Sequence, residues 1–84
     1  MFVIAVFSSR NETLYFANMF KSNNLYAMII NTPKEAGQAC GISVKFDARM
    51  INVGRQFLSS KPFRSFVGFF SLKYINNRQV VERL

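Results

Sequence analysis

Histidine and tryptophan are absent from this chain, and cysteine occurs once, at Cys40. Without histidine there is no Ser–His or Cys–His dyad, no imidazole base and no histidine metal ligand. A single cysteine excludes an intramolecular disulfide and, within one chain, a thiolate zinc site. Acids are scarce: Glu12, Glu35, Asp47 and Glu82 are scattered, which argues against hydrolysis by paired carboxylates. No glycine-rich phosphate or dinucleotide motif is present. The apolar start, residues 1–7, is far too short to span a bilayer and lacks the basic lead and long apolar core of a signal peptide. Together these absences predict a cytoplasmic protein that is not an enzyme, binds no metal or cofactor and stays out of membranes.

What is present is a chain of 84 residues, half of them apolar, enough for one small domain. Ten Phe and three Tyr supply more aromatic surface than one small core needs, so part of it is expected on a partner or dimer surface. Eleven Lys and Arg give a net charge of +7. Such an excess favours encounter with nucleic acid, an acidic protein or an anionic membrane surface, or simply keeps the chain soluble.

Residues 2–7, Phe-Val-Ile-Ala-Val-Phe, form an apolar, β-rich run without a polar face, as in a central strand. Ser9 and Glu12 have capping-box spacing and open a helix over residues 10–22, with Thr13, Phe16, Met19 and Phe20 on its inner face. Asn23-Asn24 closes it, because asparagine tolerates the left-handed conformation of helix ends. Residues 25–30 read as a second strand. Next, Thr32 is the expected N-cap of a short helix, with Pro33 at its first position and Glu35 closing the box, and Gly37 and Gly41 bound it to a turn or two. Residues 42–46 alternate, so Ile42, Val44 and Phe46 share the core face while Ser43 and Lys45 face out. Asp47 caps a helix over residues 48–59, which Lys61-Pro62 ends. Residues 66–74 form a fourth strand. In residues 75–84, Val80, Val81 and Leu84 lie at helical spacing, which predicts a short helix or an arm appended to a domain of residues 1–74. The order strand, helix, strand, strand, helix, strand predicts an α+β, ferredoxin-like βαββαβ fold: a four-stranded antiparallel sheet with two helices on one face.

One loop carries chemistry. Phe7-Ser8, Thr32-Pro33, Lys34-Glu35, Cys40-Gly41 and the alternating strand at residues 42–46 fall in an order that resembles a family of small selenium/sulfur carrier-like domains. The resemblance covers residues 3–70, and its specific part is Thr32 to Gly41. It implies one working atom, the Cys40 thiol, bearing a persulfide or selenide, with Thr32, Pro33, Lys34, Glu35 and Gly41 supporting the loop. The chain departs from a plain carrier in being more basic and richer in Phe. A carrier thiol has to be reachable and is helped by basic neighbours, here Lys34 and Lys45. A position at the carbonyl end of the short helix would disfavour a thiolate. The bland reading of a lone cysteine is a small buried apolar side chain ahead of a strand.

The uncovered sheet face offers a different role. Aromatic rings beside Lys and Arg on such a sheet are how RNA-recognition domains stack bases, and Lys45, Arg49, Arg55, Lys61, Arg64 and Lys73 are the candidate polyanion contacts. The Gly-Phe-Gly/Ala-Phe core of those domains is absent: Val67-Gly68-Phe69-Phe70 matches it poorly and lies on the wrong strand. Self-association through the same face, or through residues 75–84, is the other use of surplus Phe and predicts a homodimer.

Overall fold

The computed structural model describes residues 1–37 and 39–84. In chain order these residues form β1 (Phe2–Phe7), α1 (Arg10–Ser22), β2 (Met28–Asn31), β3 (Ile42–Asp47), α2 (Ile51–Ser59), β4 (Phe66–Ile75) and β5 (Arg78–Arg83), with 3₁₀ turns at Lys34–Ala36 and Ala48–Met50. The strands make one antiparallel sheet in the order β2-β3-β1-β4-β5. β1 lies between β3 and β4, with Ala5 opposite both Val44 and Phe69. That position explains its apolar run, since Val3 to Phe7 are all buried on both faces of the sheet.

The sequence predicts four strands; the sheet has five. Residues 75–84 are neither helix nor free arm. Asn76 and Asn77 adopt φ of 51° and 64°, the paired positive values of a two-residue hairpin turn, and β5 folds back on β4 with Leu72 opposite Val81. The strand's two-residue period breaks up the supposed helical stripe. Val81 packs against the cluster that contains Ile4, Phe70 and Leu72, whereas Leu84 lines a groove with Met1, Val3, Ala48 and Ile51. Two smaller differences are local. The second strand begins at Met28 rather than Leu25, and the second helix opens with a 3₁₀ turn, capped by an Asp47 carboxylate that accepts from the Arg49 amide at 2.8 Å.

Both helices pack on the face presenting Val3, Ala5, Phe7, Val44, Phe46 and Phe69. The predicted inner residues Phe16 and Phe20 are fully buried there, with Phe57 of α2 beside them. The rings interlock: Phe20 lies 4.8 Å from Phe46 and 5.0 Å from Phe57, and Phe7 lies 5.2 Å from Phe16. Every phenylalanine except Phe2 packs into one of two apolar clusters. Nine of the ten phenylalanines are thus used inside, where large rings let two short helices fill the space above a sheet, while Phe2, Tyr15, Tyr26 and Tyr74 are exposed.

The opposite sheet face is not open along its length either. Ile4, Val6, Phe70 and Leu72 form a second cluster there, closed by Ile30, Val81 and the loop residues Ala36 and Ala39. Ser43, expected to face solvent, points to this side but is fully buried. Lys45, further along β3, places its ammonium 4.4 Å from the centre of the Phe2 ring.

Candidate functional site

The loop between β2 and β3 is clasped at its base. The Thr32 amide donates to the Gly41 carbonyl at 2.9 Å, and the Thr32 hydroxyl lies 2.6 Å from that of Ser43. Thr32 is thus not the N-cap the sequence suggests. Pro33 holds the cap position of the 3₁₀ turn with no side-chain bond, and Lys34 and Glu35 are exposed. The physical reason is that Ser43 is buried and its hydroxyl needs a partner, which a 3₁₀ turn's exposed amides do not. Gly37 and Gly41 adopt φ of 87° and 94°, where side chains are strained, so both turns of the loop depend on glycine.

From that base the loop straddles one end of the sheet. Ala36 and Ala39 lie under the second apolar cluster, while Cys40 reaches the helical side and meets α1. Its sulfur is 3.3 Å from Thr13 Oγ1 and donates to the Ile42 carbonyl at 3.3 Å. The short helix ends at Ala36, four residues before Cys40, and Thr13 lies in the first turns of α1. Cys40 sits by the amino end of α1, where the partial charge of the helix is positive. Cys40 itself is half-buried and unbridged, neither fully in the core nor fully in solvent.

The same end of α1 is tied down from a third direction. Ser9 accepts from the Glu12 amide at 3.2 Å, as the capping box requires. Glu12 does not reach back to Ser9. Its carboxylate accepts from the amides of Arg64 at 3.0 Å and Ser65 at 2.8 Å, and the Ser65 hydroxyl takes over the Ser9 amide at 3.2 Å. The Ser65 hydroxyl and the Arg64 amide hold the Glu12 carboxyl below its ordinary value of 4.5. The loop ahead of β4 is thereby fixed to the helix end that Cys40 contacts.

The six candidate polyanion residues do not converge. Lys45 and Lys73 project from opposite faces of the sheet. Arg49 pairs with Asp47 at 3.0 Å, and its guanidinium holds that carboxyl down at about 2. Arg55 borders the groove beside Leu84, Lys61 stands 4.1 Å over the Tyr15 ring, and Lys73 lies 3.8 Å from Glu82. Arg64 is exposed on the loop that Glu12 holds. Neither sequence-adjacent lysine has a contact with the thiol: Lys34 is exposed on the loop, and Lys45 is engaged with Phe2.

The family model described as "Putative Se/S carrier protein-like" matches residues 2–64, which include Cys40, its loop and the whole of α1. The chain belongs to this family. No curated protein and no solved structure matches it. In this Se/S carrier-like chain the matched span ends before β4 and β5, so the elements that complete the sheet lie beyond it. Among the described residues no group of His, Cys, Asp or Glu could hold a metal ion, and no helix is long and apolar enough to cross a membrane. Sequence reading placed Thr13 in the core and missed its contact with Cys40. No local signal marks a pair 27 residues apart.

Proposed function

We propose that this protein is a small carrier-like accessory protein that holds an activated sulfur or selenium atom on Cys40 and is not itself a catalyst. The observation that carries the reading is the half-buried, unbridged sulfur at the glycine-framed loop within the span matched by the family. In the sulfur case the donor is a persulfide. The Cys40 thiolate attacks the donor's outer sulfur, a new S–S bond forms at Sγ, and the donor's own S–S bond breaks. The electron pair leaves on the donor thiolate, and the proton lost by Cys40 passes to solvent. One thiol and one persulfide are consumed and one of each is produced, so no outside oxidant is needed. A free thiol serving this way belongs in a reducing compartment.

Intact-protein mass spectrometry after exposure to glutathione persulfide tests the reading. Native protein is expected to gain one sulfur atom, released by dithiothreitol and located on Cys40, while Cys40→Ser gains none. A native protein that stays unloaded, or a Cys40→Ser variant that loads equally, removes the carrier reading.

A further inference from the structure

We infer that Thr13 is the positioning residue of the Cys40 sulfur, supplying its hydrogen bond whenever that sulfur is charged or loaded; the inference rests on the carrier reading of Cys40. Thr13 is fully buried yet polar. Its hydroxyl oxygen lies 2.9 Å from the Ser9 carbonyl and 3.3 Å from Cys40 Sγ. The sulfur in turn lies 3.3 Å from the Ile42 carbonyl, a contact only a thiol proton can satisfy. One O–H and one S–H therefore serve three contacts. In the resting thiol, Cys40 donates to Ile42 and Thr13 donates to Ser9.

Loss of the thiol proton, or its replacement by a second sulfur, leaves Sγ able only to accept. The Thr13 hydroxyl can then turn to it without stranding the Ser9 carbonyl, which keeps the bond from the Thr13 amide at 3.0 Å. A helical threonine commonly spends its hydroxyl on the carbonyl four residues back. Here the β2–β3 loop brings that hydroxyl a second partner, and α1 holds it rigidly in place, with Ser9, Glu12 and Ser65 fixing the helix start.

Thiol reactivity tests the inference with a reagent that is not a sulfur donor. In alkylation by iodoacetamide the C–S bond forms as the C–I bond breaks, iodide leaves and the thiol proton passes to buffer. A hydrogen bond to a charged atom corresponds to roughly a tenfold change. Thr13→Val keeps the shape, loses the hydroxyl and is expected to slow alkylation by about that factor at one fixed pH, while Thr13→Ser restores nearly the native rate. Equal rates for native protein and folded Thr13→Val overturn the inference, as does a folded Thr13→Ser that fails to rescue.

A second measurement needs no variant. Methyl methanethiosulfonate places a disulfide-bound sulfur on Cys40, with methanesulfinate leaving. The Thr13 Cβ resonance is expected to shift as its hydroxyl changes partner, and an unmoved resonance overturns the inference. Neither reagent is a persulfide, so these outcomes are separate from success or failure of glutathione persulfide loading.

Discussion

Gly54→Ala sets two effects of known size against each other. Gly54 is buried in the middle of α2, and replacing an interior helical glycine by alanine ordinarily stabilises by about 1 kcal/mol. At this position the added methyl would lie 3.1 Å from Cζ of Phe46, 3.4 Å from its Cε2 and 3.6 Å from Cε1 of Phe69. Phe46 has little room to retreat. It is 1% exposed, with Phe20 4.8 Å away and Phe69 6.2 Å away. Overpacking such a site costs about 1–3 kcal/mol, so the steric effect outweighs the helical one and the net loss is about 1 kcal/mol. For a domain of this size that lowers the melting midpoint by about 4–8 °C. Thermal unfolding by circular dichroism measures it. In a Phe46→Leu background the clash is relieved, and the same substitution should become neutral or stabilising. A Gly54→Ala protein that melts above the native one, or a double variant whose losses simply add, would refute the argument that ring contact sets the approach of α2.

Two further outcomes follow from the loop and the helix start. Gly41→Ala meets no atom within 4 Å, so its cost is conformational alone: about 1–2 kcal/mol at φ of 94°, read as a lower urea midpoint with unchanged slope, with Gly41→Asn losing less. Because folding lowers the Glu12 pKa, the unfolded chain binds more protons, and this contribution to stability is present above the ordinary value of 4.5 and lost as pH falls through the folded value. Glu12→Gln should flatten that part of the pH–stability curve, and superimposable curves for the two proteins would dismiss the link to Arg64 and Ser65.

How far the chain could be read depended on the range of each signal. α1 was legible to its end residues, because Ser9, the spacing of Phe16 and Phe20, and Asn23-Asn24 all act within a turn or two; Asn24 does adopt a positive φ of 57°. β1 was legible as central because it is an unbroken apolar run with no polar face, and Val3 to Phe7 are indeed buried. β5 was not, since Val80, Val81 and Leu84 fit a helical spacing as well as a strand. The deciding signal was the Asn76-Asn77 turn, whose positive φ values only the paired β4 reveals. Thr32 was misread for a related reason. Its spacing to Glu35 is that of a cap, but a buried Ser43 hydroxyl eleven residues on competes for it and wins.

The sequence by itself determined the α+β class, the inner faces of the first helix and third strand, and Cys40 as the single thiol of the chain, since period, caps and the inventory of side chains are local or compositional facts. Only the tertiary structure decided how the phenylalanines interlock inside the fold, that the loop roofs one end of the sheet, and that Cys40 meets Thr13 at the amino end of α1. Those outcomes depend on which distant segments share a buried space, and the demand that each buried hydroxyl and sulfur find a hydrogen-bond partner is met across the fold rather than along the chain.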